Sequence, residues 1–346
     1  MSRTPSPLVF AAVFAAASAF ASPSEAAKLQ VVTTLSPYAS IAQSVGGDRV
    51  EVSSISRGDE DAHFVKPKPS FALMLRHADL FVTTGLDLEL WAPVLIDKAG
   101  NGKIRQGEPG YVSVSPGIHL ADIPTSADRS AGDVHLFGNP HIFASPLNAK
   151  VIAGNIAAGL ERIDPSGAAA YRANLAAFNR KIDESLYGPK LLQVLGSDVL
   201  DPLAEQGKLF EFLGSKDYQG KKLIDLLGGW MRTARAFQGK KIVTYHKNWV
   251  YFTDLFGLTV VDYVEPKPGI PPSARHVKEL IEEIQREGVK VILAANYFDG
   301  QQVETIAERT GCKAVIVPLG PGGQEASDYI SLVDFWIRQL AAALEP

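Results

Sequence analysis

The stretch that decides the fold is Leu29-Gln30-Val31-Val32-Thr33-Thr34, followed by Ser36-Pro37 through Ala42, Gly46-Gly47, and then Val50-Glu51-Val52-Ser53-Ser54-Ile55. A β-branched run gives way to a helix opened by Ser-Pro and stopped by a glycine pair. A second β-branched run follows. This is a βαβ unit, which requires parallel pairing of its two strands. Working outward, the rhythm continues. Pro69 to His77 reads as a helix, Ala78 to Thr83 as a strand, and Leu88 to Ala99 as a helix closed by Gly100-Asn101-Gly102. Far downstream it returns. Lys241–Tyr245, Leu258–Tyr263, Val289–Ala294 and Ala314–Val317 are strands, alternating with helices at His246–Phe256, Ser273–Glu287 and Gly300–Thr310. A last helix runs from Ser327 to Leu344.

Between the two α/β regions the pattern changes. From Leu147 to Leu186 apolar residues recur at helical spacing, among them Ile152, Ile156, Leu160, Tyr171, Leu175, Phe178 and Ile182. Asp164-Pro165-Ser166-Gly167 interrupts them, so a helix, a break and a helix of about twenty residues are expected, the last reaching about 30 Å. Residues 188–238 carry several glycine breaks and read as extra helical elements. The expected fold is α/β, with two parallel-sheet lobes joined by one long rigid helix. The expected division is a signal peptide over 1–27, an N-terminal metal-binding lobe over 28–146, a connecting helical segment over 147–187, and a C-terminal metal-binding lobe over 188–346.

Composition limits the function. The chain has 346 residues, enough for two cores, and a formal net charge of −4. That balance provides no basic footprint for nucleic acid. Arg3, the apolar run Leu8 to Phe20 and the small-x-small Ala19-Phe20-Ala21 read as a secretory signal, with Ser24-Glu25-Ala26 as a second cleavage candidate. An apolar run of that length is short for a membrane span. The one cysteine, Cys312, excludes an intrachain disulfide and a thiolate zinc site, and its place beside an apolar strand reads as an inert thiol. With no cysteine near the cleavage site, the expectation is a periplasmic protein that is not lipid-anchored.

Seven histidines carry the remaining chemistry, and three stand where open α/β sheets place ligands, at strand ends and turns. His63 lies in the acidic loop Gly58-Asp59-Glu60-Asp61-Ala62-His63. A neighbouring carboxylate there is placed to accept the imidazole N–H and fix the tautomer. His141 is clamped between prolines in Gly138-Asn139-Pro140-His141-Ile142-Phe143-Ala144-Ser145-Pro146. His246 follows Val243-Thr244-Tyr245 at the end of a strand. His135 reads as a surface residue, with a second-ligand role as the alternative. His77 and His276 read as solvated, and His119 as a loop residue. There is no short zinc motif such as His-Glu-x-x-His, so the case rests on the combination.

Taken together, these segments resemble the metal-binding subgroup of ABC-transporter solute-binding proteins, the zinc/manganese periplasmic receptors. The likeness covers nearly the whole chain after the signal. It rests on Asp61-Ala62-His63 with Pro67 to Ser70, Thr84-Gly85-Leu86-Asp87-Leu88-Glu89-Leu90-Trp91, Gly138 to Pro146, Thr244-Tyr245-His246 with Tyr251-Phe252, Pro271-Pro272-Ser273 and Asp328-Tyr329. The resemblance implies two lobes with metal in the cleft between them. His63 and His141 would come from the first lobe and His246 from the second. It also implies delivery to a membrane permease, while the stiffness of the long helix predicts small lobe movements. A histidine at the third position points to Zn²⁺ over Mn²⁺, in keeping with imidazole softness. One departure matters: where the family commonly has an aspartate before Pro-Leu, this chain has Val317 before Pro318-Leu319. The fourth ligand is then expected to be water, or Glu325 or Asp328. The chain is expected to be monomeric and not an enzyme. Two alternatives remain: a zinc-dependent hydrolase with an open three-histidine site and Glu60, Asp61 or Glu325 as base, and an adhesin-like protein of the same fold.

Overall fold

The computed structural model describes residues 27–124, 135–267 and 269–345. The expected signal segment lies outside them, except for its last residue. The first sheet is built from β1 (Leu29–Thr33), α1 (Ser36–Gly46), β2 (Val50–Ser54), α2 (Pro69–Arg76), β3 (Leu80–Thr83), α3 (Ala92–Ala99) and β4 (Tyr111–Ser113). Its order is β2-β1-β3-β4, parallel throughout. Next come α4 (Pro146–Ile163) and α5 (Ala168–Tyr187), then α6 (Pro189–Leu195), α7 (Ser197–Glu205), α8 (Leu209–Ser215), a two-stranded ribbon of β5 (Asp217–Tyr218) and β6 (Lys221–Lys222), and α9 (Gly229–Ala234). The second sheet uses β7 (Lys241–Thr244), α10 (Val250–Phe256), β8 (Thr259–Tyr263), α11 (Ala274–Glu287), β9 (Val291–Ala295), α12 (Gly300–Thr310) and β10 (Lys313–Val317). Its order is β10-β9-β7-β8, again parallel. The C-terminal helix α13 spans Tyr329–Leu344. Among the described residues no helix is long and apolar enough to cross a membrane.

Strand period explains the layering. Val31 and Val32 are adjacent and point to opposite faces, so each enters a different core. On the outer face of the first sheet Val32 and Phe81 pack with Leu75 and Leu95 of α2 and α3. On the outer face of the second, Val243, Ile292 and Ala294 pack with Leu280 and Ile284 of α11 and with Val303 and Ile306 of α12. The inner faces share one core, which runs from Val31, Tyr38 and Ile41 through Ile152, Ile156 and Tyr171 to Phe252, Leu293 and Trp336.

The connection is helical. Asp164 accepts from the Gly167 amide at the turn after α4, and α5 folds back along α4. Arg172 pairs with Glu161 near the turn, and Lys150 pairs with Asp183 farther along, which fixes the antiparallel arrangement. Two expected helices begin later than their sequence patterns suggest. The helix expected from Leu88 starts at Ala92, because Asp87 takes a left-handed φ of 60° and Glu89 turns inward as a buried acceptor. The helix expected from His246 becomes a 3₁₀ turn over Lys247–Trp249, and α10 starts only at Val250.

The lobes also meet backbone to backbone. The Gly320 amide donates to the Gly58 carbonyl at 3.3 Å, and a Cβ at Gly58 would lie 2.2 Å from the Gly320 oxygen. Only glycine permits this approach.

Trp336 is fully buried in the shared core, edge-on to Trp249 at 5.0 Å, with its indole N–H on the Pro318 carbonyl at 2.8 Å. W336A is expected to cost about 3–5 kcal/mol, read from the midpoint of urea unfolding. An unchanged midpoint would contradict a core continuous across the two sheets.

Candidate metal centre

Each of the three singled-out histidines is held by its own loop. His63 sits in a 3₁₀ turn, Ala62–Phe64, just after β2 and before α2. Asp61 caps this turn: its Oδ1 accepts from the His63 amide at 3.0 Å and faces His63 Nδ1 at 2.7 Å. Burial pushes the Asp61 carboxyl upward, but hydrogen bonding and charge from His63 outweigh it and hold the group below the usual carboxylate range. Trp91 supports the loop from behind, donating its indole N–H to the Ala62 carbonyl at 2.7 Å. Glu89, two residues earlier, accepts from Thr34 Oγ1, Thr84 Oγ1 and the Thr84 amide, which ties this segment to β1 and β3.

His141 is oriented by Asn139 in the same manner. Asn139 Oδ1 accepts from the His141 amide at 3.0 Å and faces Nδ1 at 3.0 Å. The other end of the amide donates across the cleft to the Lys247 carbonyl at 2.7 Å. Tyr251 adds a second bridge, donating to the Asn139 carbonyl at 2.6 Å. His246 follows β7, with its Nδ1 3.2 Å from Glu265 Oε1. That is ion-pair distance, but the direction is wrong for a hydrogen bond, so Nδ1 keeps no hydrogen-bond partner.

These loops converge. One ligand nitrogen from each of His63, His141 and His246 lies within 4.8 Å of the others. Ring centroids stand 5.2 Å apart for His63–His141 and 5.6 Å for both His63–His246 and His141–His246. Imidazoles bound end-on to one tetrahedral zinc, at about 2.0–2.1 Å per nitrogen, would place their centroids about 5 Å apart. The observed ring centroids stand within a few tenths of an ångström of that spacing. All three side chains are shut away from solvent: His141 is 2% and His246 3% exposed, and the His63 side chain 6%. His141 Nε2 is buried with no hydrogen-bond partner, which is costly unless something accepts its lone pair or proton. The donor chemistry and this orphaned atom fit a divalent ion.

The two proposed oxygen ligands are not brought to the site, and that expectation is corrected. Asp328 is the N-cap of α13, its carboxylate accepting from the Ser331 amide at 2.8 Å in a capping box. Glu325 is exposed in the following-strand loop and does not join the three nitrogens. Val317 is buried within β10 beside Ala295. His135, read as a surface residue, stands instead against the cluster, with Nε2 3.1 Å from His63 Nε2. Burial, together with the nearby His63 and His246, pushes its pKa down to about 3. The sequence signal was its position six residues before His141, across the turn at Gly138. His276, read as solvated, has its Nε2 2.9 Å from the Tyr263 carbonyl.

The family model described as "Zinc-uptake complex component A periplasmic" matches residues 31–185 and 217–343, leaving out α6 to α8. Two curated relatives are the manganese ABC transporter substrate-binding lipoprotein PsaA of Streptococcus pneumoniae and the metal ABC transporter substrate-binding lipoprotein FimA of Streptococcus parasanguinis. They are 23% identical over 93% of this chain and 91% of PsaA, and 24% over 92% and 89% of FimA. A solved zinc-bound ZnuA deletion mutant superposes with a TM-score of 0.68 at 22% identity, covering 92% of this chain and 99% of that one, which establishes the shared fold. These relatives also overturn the expectation of a protein that is not lipid-anchored. They are named lipoproteins.

Burial holds the His141 imidazole well below its ordinary value of 6.5. Such a group takes up a proton on unfolding once the pH drops below 6.5, so its contribution to stability is full above that value and falls with pH below it. The metal-free protein is expected to lose roughly 1.4 kcal/mol per pH unit from this group. Thermal melts from about pH 8 to about pH 5 test this. H141N should show a shallower fall than wild type, and identical slopes would refute a buried neutral imidazole.

Proposed function

This chain belongs to the ZnuA family, the substrate-binding components of metal ABC transporters, and from that premise we propose that it captures Zn²⁺ in the periplasm and hands it to its membrane permease. The ligands are His63, His141 and His246, and the ion is cargo, bound and released without chemistry. The observation that carries the zinc assignment is the donor set. Three desolvated imidazoles converge, while Asp61 and Glu265 lie beside Nδ1 of His63 and of His246. Nitrogen donors suit Zn²⁺, whereas Mn²⁺ favours oxygen. The manganese named for PsaA belongs to that protein.

The same two carboxylates speak against hydrolysis. A metal-activated water needs a free base beside it; here Asp61 is engaged by the His63 amide and ring, and Glu265 Oε1 accepts from the Gly269 amide. Asp61 fixes the His63 proton on Nδ1, so that Nε2 presents a lone pair. Binding releases the competing protons, so affinity falls as pH drops and the imidazoles charge. The chain acts as a monomer with lobes of 28–146 and 188–346 about the 147–187 segment. Their shared core and the Gly58–Gly320 contact support small movements on loading.

Competitive titration of Zn²⁺ against Mn²⁺ tests the assignment. Wild type is expected to prefer Zn²⁺, and H63A, H141A and H246A each to lose most of the affinity. Tighter Mn²⁺ binding, or Zn²⁺ binding indifferent to all three substitutions, would overturn it. D61N keeps the shape of its side chain and removes the charge; it is expected to weaken Zn²⁺ about 10–100-fold while leaving the 1:1 stoichiometry intact.

A further inference from the structure

We propose that His135 is the fourth ligand, making the site an all-imidazole centre that favours zinc through its donor atoms. The inference rests on the zinc-receptor reading above and deepens it. Three histidines leave one tetrahedral position open. The strand-end position that supplies an oxygen in the resembled family is Val317, buried in β10. The carboxylates nearest the cluster are turned to the Nδ1 side of His63 and His246. His135 is the group that remains.

His135 stands at the edge of the group that His63, His141 and His246 form, in contact with His63 and outside the mutual 4.8 Å spacing of the other three, so its ring must move inward on loading. Its Nε2 lies 3.1 Å from His63 Nε2. Two nitrogens on one tetrahedral zinc are separated by about 3.4 Å, given bonds of about 2.0–2.1 Å. Its ring centroid is 5.1 Å from His63 and 6.2 Å from His141, against the ~5 Å of a shared tetrahedral ion. The backbone around it is tied down: the Gly138 amide donates to the His135 carbonyl at 3.3 Å, and the Asn139 amide to the Ala121 carbonyl at 2.8 Å. Gly138 makes the turn at φ 106°, so His135 and His141 reach the same point from one short loop.

The proton count is simple. His63 donates Nδ1–H to Asp61, so its Nε2 is an acceptor. Without metal, His135 Nε2–H donates to it. On loading, the His135 proton is carried on Nδ1, and both Nε2 lone pairs turn to the ion. The hydrogen bond between the two rings is thus a placeholder that zinc replaces. Four neutral ligands leave the ion its full double charge, an environment that carboxylate-seeking Mn²⁺ has little reason to enter.

X-ray absorption at the zinc edge, on the full chain loaded one-to-one with Zn²⁺, tests this. The expected first shell is four nitrogens with imidazole multiple scattering, falling to three nitrogens and one oxygen in H135A. Zn²⁺ affinity of H135A should drop by at least the ~10-fold that losing even an outer-shell partner costs. H135D should narrow the preference for Zn²⁺ over Mn²⁺. Three imidazoles and one oxygen in wild type would overturn the inference and leave the receptor function standing. A chain that binds no Zn²⁺, or binds it without His63, His141 and His246, would overturn both.

Discussion

A parallel sheet must bury both of its faces, and all its strands end at the same edge. Those two constraints organise this molecule. Burial of the outer faces recruits α2, α3, α11 and α12, while the inner faces close against one another through α1, α4, α5 and α13. The shared edge collects the loops. The Asp61–His63 turn follows β2 and His246 follows β7, so both reach the cleft because their strands run toward it. His141 arrives differently, at the N-terminal end of the connecting α4, after the clamped Asn139-Pro140.

The electrostatics follow from the same burial. An ion in this cleft meets neutral nitrogens first and negative charge only one layer out, at Asp61 and Glu265. Asn139 plays the matching part for His141 without charge. Asp61 and Asn139 in this outer layer fix the direction of the His63 and His141 rings, and its carboxylates offset part of a bound ion's charge. Asn139 and Tyr251 also bridge the lobes, so the group that aims one ligand is the group that spans the cleft.

Most of the architecture was legible because it is written in local period. Val31 and Val32, or Val291 to Ala295, declare two-sided burial over a few residues, and Ser273 with Gly288 brackets α11 by its cap and its left-handed stop. What escaped was non-local or competitive. His135 meets His63 across 72 positions of chain, and its closeness in sequence to His141 was the one local hint of that contact. Asp328 looked like a free carboxylate near a glycine-rich loop. Its own neighbour three residues on, Ser331, had already claimed it as a cap, a pattern local enough to have been read. At Glu89 a helix-favouring residue was taken instead by the buried hydroxyls of Thr34 and Thr84, and α3 started late.

The core that passes unbroken from the first sheet to the second has a thermodynamic meaning beyond packing. Two lobes with private interiors would melt as two units, and an ion between them would steady each by its own share. Here α5 and α13 belong to both halves, so the chain has one interior to lose. Cargo bound at the cleft is then felt as protection from hydrogen exchange as far away as β4 and β10, because any opening that exposes those strands must also dismantle the cradle.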